Sequence, residues 1–278
     1  MKRIFIILSA MLLAACMKNF DPETDSNLGS VVLSVDLTPV FDDIKILEED
    51  PDARLRVRAY CYGEDGLLKS NQSCIRTNFN EMVEFEFRHL TKGEEYRLLV
   101  FADFFWINEE GSETDCWFHL LTGSINSIHI DRVEGSYGYY DILGMATGAY
   151  RLNDSRGHLA LAMQHTGTPC IIAFTNAPAG TEIYHAYTGR AMVSPSGNDK
   201  YDTSYTFYQT DLVPEGYDSI EFYHYIIPNV TGKSRLDYKV TFNGKEPAQY
   251  SHEINVTAGK QLQIEINCLN GELKCTEF

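Results

Sequence analysis

The sequence predicts an all-β protein made of antiparallel sandwiches or barrels, and three observations support this prediction. Apolar and polar residues alternate with a period of two in several segments, which is typical of half-buried strands. Turns containing Gly and Asn separate these segments, and helical spacing of apolar residues is almost absent. The chain has 278 residues, 44% of them hydrophobic, which is enough for about two domains with their own cores.

The charge balance excludes one class of partner. The chain carries 39 Asp and Glu residues against 23 Lys and Arg residues, for a net charge of −16. Binding to phosphate backbones needs a concentrated basic surface, so a nucleic-acid partner is not expected. The same balance argues against electrostatic adhesion to anionic lipid.

The N-terminus has the pattern of an export signal. Lys2 and Arg3 precede an apolar run from Ile4 to Leu13, which is too short for a membrane span and typical of a signal peptide. The following Ala14-Ala15-Cys16 completes a motif that resembles the lipobox of bacterial lipoproteins. This resemblance implies that residues 1–15 are removed and that Cys16 carries the lipid. The alternative is an ordinary secretory signal in which the Cys has no role.

Residues 16–28 are polar and acidic, and Pro22 disfavours a helix there. We therefore expect a tether between the lipid and the folded body. In lipoproteins of Bacteroidetes a similar acidic stretch after the Cys directs export to the surface. The expected location is the outer membrane, held by the lipid and exposed at the cell surface.

The first half of the chain contains three clear strand patterns. Apolar residues alternate over 31–37, 55–61 and 83–89, and the turn at Gly63–Gly66 follows the second of these. In that second pattern Arg54, Arg56 and Arg58 occupy the face opposite the apolar residues, so we expect this face to be exposed to solvent.

The second half repeats the pattern over 236–242 and 262–268, with turns at Asn243-Gly244 and Asn270-Gly271. A polar break at residues 151–157 separates the halves. We therefore predict an N-terminal domain at residues 29–152 and a C-terminal domain at residues 158–278.

Several segments resemble fimbrillin-like lipoproteins of Bacteroidetes. Residues 90–104, ending in Phe101-Ala102-Asp103-Phe104, resemble a core strand of that family, with Phe101 where Trp is usual. Residues 111–118 are similar to the loop after that strand. Residues 158–163 and 169–174 are similar to the opening strands of the family's second domain.

This resemblance implies two transthyretin-like antiparallel β-sandwich domains in tandem after the signal peptide. It implies a lipid-anchored fimbrial subunit, or an anchor or accessory protein, without enzymatic activity or cofactor. Its partners would be other fimbrial subunits, joined when a strand of one subunit completes the sheet of another. Shaft subunits of the family are cleaved after an Arg. Here Arg54 is the first Arg after the signal, which favours retention of the lipid and an anchor or accessory role.

Six cysteines remain after Cys16, and an exported protein allows disulfides. Cys61 and Cys74 flank one predicted hairpin and Cys268 and Cys275 another, so both pairs are candidate disulfides. The alternative is that they are small buried thiols. No C-x-x-C or clustered His motif occurs, so no metal site is expected.

Aromatic residues suggest a second function. Trp106, Trp117, Tyr137, Tyr139 and Tyr140 lie in or near predicted loops, where exposed rings could contact sugars or a partner. The alternative function is therefore a surface lipoprotein that binds host or other glycans. The simpler interpretation of the rings is packing in the sandwich cores.

Overall fold

A computed structural model describes residues 26–42, 50–77, 82–120, 123–133, 138, 141–195, 204–229 and 231–278. The signal peptide, Cys16 and most of the tether lie outside the described residues. The described chain is nearly all β, and its antiparallel sheets pack as sandwiches, which confirms the predicted fold class.

The elements up to residue 165 are eleven strands and one short helix. They are β1 (Leu28–Asp36), α1 (Thr38–Phe41), β2 (Ala53–Tyr62), β3 (Leu68–Arg76), β4 (Val83–Thr91), β5 (Glu95–Ile107), β6 (Glu113–Asp115), β7 (Trp117–Leu120), β8 (His129–Arg132), β9 (Leu143–Arg151), β10 (Arg156–Ala162) and β11 (Gln164–His165).

The elements from residue 168 onward are nine strands. They are β12 (Thr168–Thr175), β13 (Glu182–Arg190), β14 (Met192–Val193), β15 (Ser204–Leu212), β16 (Ile220–Ile226), β17 (Lys233–Thr241), β18 (Ala248–Asn255), β19 (Leu262–Asn267) and β20 (Glu272–Glu277).

A first hydrophobic core lies between two sheets. One sheet has the order β10-β1-β4, and the other has the order β11-β9-β5-β2-β3 with β6 beside β5. The alternating apolar residues predicted for β1, β2 and β4 point into this core, and Leu33, Val57 and Phe87 are fully buried. Burial of these side chains at about 25 cal/mol per Å² is what holds the two sheets together.

Strand β10 changes the predicted division of the chain. It pairs in parallel with β1, from Ser30 opposite Arg156 to Asp36 opposite Ala162. Residues 158–162, assigned from the sequence to the C-terminal domain, therefore add an edge to the first sheet. Local alternation does not reveal which distant strand a segment joins, so the sequence placed this one with its neighbours in the chain. The division into two domains stays a prediction, and this pairing would move its boundary beyond Ala162.

The second face of β2 is also different from the prediction. Arg56 and Tyr60 are 6% and 3% exposed, although this face was expected to be wet. The chain between β5 and β9 covers it, since β6 pairs with β5 and Arg56 Nη2 lies 3.4 Å from the carbonyl oxygen of Trp117 at the start of β7. Arg56 is compensated by Asp103, with two hydrogen bonds of 3.1 and 2.5 Å.

A second hydrophobic core lies between a sheet of order β16-β12-β19-β20 and a sheet of order β15-β13-β17-β18. Leu236 and Val240 of β17 and Ile264 of β19 are fully buried in it, as the alternation predicts. Strands β12 and β19 are parallel, and the other pairs in these two sheets are antiparallel.

Arg132 at the end of β8 connects the two halves of the chain. Its guanidinium lies over the rings of Trp117 and Phe207, at 4.8 and 5.1 Å from their centroids, and donates a 2.8 Å hydrogen bond to the carbonyl of Tyr225. Strand β14 pairs with β8 beside it. A buried cation held by rings from both halves restrains their movement.

Candidate functional site

The structure does not bring the predicted aromatic surface together. Trp117 is 2% exposed and donates its indole N–H to the carbonyl of Asp141, so it is a core residue and the predicted contact role is wrong. Trp106 is half-buried, and its indole N–H donates to Asp50 at 2.8 Å. Tyr137, Tyr139 and Tyr140 lie outside the described residues. An indole that packs inward satisfies both its apolar ring and its polar N–H.

The two candidate disulfides are not formed, because Cys61, Cys74, Cys268 and Cys275 are all free thiols. Cys61 lies opposite Ser70, and Cys74 lies opposite Val57. This offset of four residues corresponds to roughly 13 Å along the strand, too far for a bridge. Burial raises the pKa of the Cys61 thiol to about 12, which keeps it protonated.

The register of the strands also separates Cys268 from Cys275. Cys275 lies opposite Ile264 in the β19–β20 hairpin, while Cys268 is buried in the turn. The sequence suggested a two-residue turn at Asn270-Gly271, but the register shows a four-residue turn between Asn267 and Glu272.

The C-terminal segment ends as the outer strand of a sheet. Strand β19 lies between β12 and β20, and no described strand pairs with the other side of β20. Phe278 donates its backbone N–H to Gln261, so by antiparallel alternation the N–H groups of Cys275 and Glu277 point away from β19. Phe278 itself is 69% exposed. This edge offers unpaired backbone groups next to an exposed apolar ring.

A groove of about 430 Å³ lies on the solvent face of the sheet formed by β13, β17 and β18. This volume is within the roughly 300–1,000 Å³ that is usual for small-ligand sites. Two cross-strand rows form it: Tyr184 opposite Lys239 and Lys239 opposite Gln249, then Asp237 opposite Ser251. We call this site the β13–β18 groove. The residues that line it are Tyr184, Arg235, Asp237, Tyr238, Lys239, Gln249, Tyr250 and Ser251.

The polar groups of the groove differ in how they are satisfied. Arg235 donates from Nε to Asp237 Oδ2 at 2.8 Å, and Nη2 lies at the same distance from that oxygen. The side chains of Tyr184, Lys239, Gln249 and Ser251 have no hydrogen-bond or ion-pair partner among the described residues. They present three kinds of donor (an ammonium, an amide and two hydroxyls) and one aromatic ring to a ligand in the groove.

Stacked rings support the groove from the core side. Tyr238 and Tyr250, between the groove positions on β17 and β18, stack with centroids 5.0 Å apart. The Tyr238 hydroxyl donates to the Gly271 carbonyl at 2.8 Å. These contacts tie β17 and β18 to the β19–β20 turn beneath the groove.

A pair of histidines lies deeper in the second core. His185 of β13 and His224 of β16 approach to 2.8 Å between their Nε2 atoms, which joins the two sheets. Burial first, and the neighbouring His224 second, lower the pKa of His185 to about 3. The His185 ring is therefore neutral near pH 7, and one Nε2–H of the pair donates to the other ring. Both rings are buried, with His185 0% and His224 4% exposed, so this is a structural contact.

The described residues contain no group of three or more His, Cys, Asp or Glu side chains placed to hold a metal ion. Within the same ranges, no helix has the length and apolar character needed to cross a membrane.

Sequence reasoning missed the groove. Its residues come from three strands, and their alternation marks them only as solvent-facing positions. The single available signal was the odd-numbered series Arg235, Asp237 and Lys239, in which charges follow every second position of β17. The Tyr and the amide that complete the site come from β13 and β18.

The fold is similar to that of solved proteins from Bacteroidetes. A candidate adhesin from Bacteroides thetaiotaomicron superposes with a TM-score of 0.54 and 8% identity, over 90% of this chain and 96% of that chain. A candidate polysaccharide-binding protein from the same species has a TM-score of 0.51 and 8% identity, over 89% and 98%. A fimbrial assembly protein from Parabacteroides distasonis has a TM-score of 0.49 and 13% identity, over 90% and 99%.

These comparisons define the class of fold. We base it on the first two structures, since the third has a TM-score below 0.5. These two structures are described as an adhesin and a polysaccharide-binding protein, and at 8% identity they show that this chain shares their fold. No family model matches the sequence, and no curated protein is similar to it.

Proposed function

We propose that this protein is a non-enzymatic fimbrial subunit, or a fimbrial anchor or accessory protein, at the cell surface. The observation that carries the proposal is the outer edge of β20, where a strand of another subunit could continue the sheet. The fold shared with adhesion proteins supports it. Backbone hydrogen bonds would supply affinity, and exposed side chains near Phe278 would set the register.

Substitution of Cys275 by Pro tests this edge. Proline there removes an outward N–H without removing a donor to β19, and prolines are tolerated at such edge positions. We expect the Cys275→Pro variant to fold but to be depleted from fimbriae sheared from cells, measured by immunoblot against the cell-bound fraction. The Cys275→Ser variant, which keeps the N–H, is the matched control. Equal recovery of both variants in the fimbrial fraction would reject β20 as the assembly edge.

An anchor or accessory role is the finer proposal. Arg54 lies in β2, which is paired on both sides by β3 and β5. Cleavage after Arg54 would cut a strand that lies inside the six-stranded sheet, between β5 and β3, so this fold offers no easy site there. Retention of β1 and of a lipid on Cys16 is consistent with a subunit that stays at the outer membrane, since two or more acyl chains give stable anchoring.

The anchor is tested by substitution of Cys16. We expect the wild-type protein to incorporate labelled palmitate and to partition into detergent, and the Cys16→Ser variant to do neither. Protease treatment of intact cells then reports the leaflet. Protection of the protein until the outer membrane is broken would place it on the periplasmic side and contradict surface display.

Glycan binding is the second candidate function, and the β13–β18 groove is the observation that favours it. A groove with one aromatic ring and several free donors and acceptors suits sugar hydroxyls. The B. thetaiotaomicron structure described as polysaccharide-binding has the same fold. Binding of the purified protein on a glycan array, with normal fimbriae in a deletion strain, would favour this function over the first.

A further inference from the structure

We propose that the β13–β18 groove binds an acidic oligosaccharide, with Lys239 contacting a sugar carboxylate and Tyr184 stacking on a sugar ring. This inference rests on the second candidate function and names its ligand class. It concerns a different face of the second core from the β20 edge, so the two can be tested separately.

The charge arrangement favours an anion. Two other cations on this sheet have acidic partners: Lys233 pairs with Glu253, and Arg235 pairs with Asp237. Lys239 lies between Tyr184 and Gln249 in its cross-strand row and forms no ion pair with any described residue. With one Asp against one Arg and one Lys, the groove is a positive site on a protein of net charge −16.

A sugar carboxylate would complete the set of interactions. The half-buried Lys239 ammonium can donate a charge-assisted hydrogen bond, which is roughly twice as strong as a neutral one. The Gln249 amide and the Ser251 hydroxyl lie on the adjacent strand within reach of vicinal hydroxyls. Asp237 Oδ2 is occupied by Arg235, so the carboxylate of Asp237 is neutralised and does not repel the ligand.

The shape favours a sugar over a peptide strand. The groove lies across the face of three strands, about 10 Å wide at the usual strand spacing. Its backbone groups are already paired within the sheet, so a peptide would find no ladder to extend. The half-buried Tyr184 ring offers a flat surface for the axial C–H groups of a pyranose.

The experiment measures binding of short galacturonic acid oligosaccharides and of hyaluronan fragments to the purified full-length chain by calorimetry. The galacturonate methyl ester is the matched neutral probe. We expect the acids to bind, the ester to bind at least tenfold more weakly, and added salt to weaken the acids selectively. The Lys239→Gln variant should bind the acids about tenfold more weakly and leave the ester unchanged.

Three variants separate the contributions. Tyr184→Ala should weaken both acid and ester, whereas Tyr184→Phe should retain both. Lys274→Gln is the control, because Lys274 is an exposed β20 residue that also forms no ion pair with described residues. It should bind like wild type. Circular dichroism and unfolding midpoints verify that each variant folds.

Two results would overturn the inference: absence of binding to both acids, or acid binding that Lys239→Gln does not change. Retained binding of neutral glycans in the groove would then leave the second candidate function standing and reject the acidic ligand alone. Results for the Cys275→Pro variant in fimbriae bear on assembly and do not affect this test.

Discussion

The two cores differ in whether the outer face of one of their sheets is covered or exposed to solvent. In the first, the outer face of β2 and β5 is covered by the chain between β5 and β9, and Arg56 and Asp103 lie buried beneath it. In the second, the outer face of β13 and β17 is open, and Arg235 and Asp237 form their pair in solvent. Each face has an Arg–Asp pair with bonds of similar length.

This difference shows that burial, and not residue type, decides whether a charged strand face has a structural role or can bind a ligand. A covered pair must satisfy every polar atom internally, so its residues are fixed in structural roles. An open pair leaves donors and acceptors for a ligand. We therefore place the structural polar network in the first core and the candidate binding site in the second.

The largest expected effect is the loss of the buried pair. The Arg56→Met variant leaves the Asp103 carboxylate buried without its bidentate partner. We expect a loss of about 3–5 kcal/mol in the free energy of unfolding, measured by urea denaturation. A loss below about 1 kcal/mol would show that water reaches this face and would remove the contrast between the two regions.

The next effect is a pH dependence that belongs to the second core. His185 has a folded-state pKa of about 3, below the ordinary 6.5 that it recovers on unfolding. The unfolded chain therefore binds the extra proton between these values. This contribution to stability is complete above about pH 6.5 and is lost as the pH falls toward 3, by up to about 1.4 kcal/mol per pH unit.

Urea denaturation of wild type and the His185→Phe variant across pH 4–7 measures this slope. Phe suits the site because His185 already packs against Phe174 and Phe222. We expect the free energy of unfolding of the variant to depend on pH less steeply, by close to the slope of one bound proton. Identical slopes in the two proteins would contradict the assignment to His185.

A smaller loss of stability is expected when the hydroxyl of Tyr238, which lies beneath the groove, is removed. Tyr238→Phe removes a buried hydroxyl that donates to Gly271, and Tyr96→Phe in the first core removes one that accepts from the Thr91 N–H at 2.7 Å. Each should cost about 0.5–1.5 kcal/mol by thermal unfolding. Only Tyr238→Phe should also weaken ligand binding in the groove. An equal effect of Tyr96→Phe on binding would mean that the groove responds to general loss of stability.

The smallest expected effect is that of replacing Arg235 in the exposed pair. Arg235→Met removes the exposed counterpart of Arg56, whose side chain is 63% exposed against 7%. We expect a change in unfolding free energy below about 1 kcal/mol, because solvent screens the pair. The same denaturation series as for Arg56→Met measures it. Losses of similar size in the two variants would show that exposure does not separate these faces.

The strands were largely predictable, since alternation needs only local residues. The pattern at 236–242 predicted β17 and its buried Leu236 and Val240, and the Asn243-Gly244 turn before β18 is present. For Trp117 the sequence left two interpretations open, an exposed contact and packing in a core. The structure decides for the core, and the partner of the indole N–H, the carbonyl of Asp141, lies 24 residues away.

By itself the sequence determined the all-β class, the inward face of the strands with clear alternation and the positions of the turns, because these follow from a period of two and from the backbone preferences of Gly and Asn. Only the tertiary structure decided that β10 joins β1, that the cysteine pairs are out of register, and that Arg56 is covered while Lys239 is open. Those outcomes depend on which distant segments pair and which faces they cover, and neither is encoded in the alternation of a single strand.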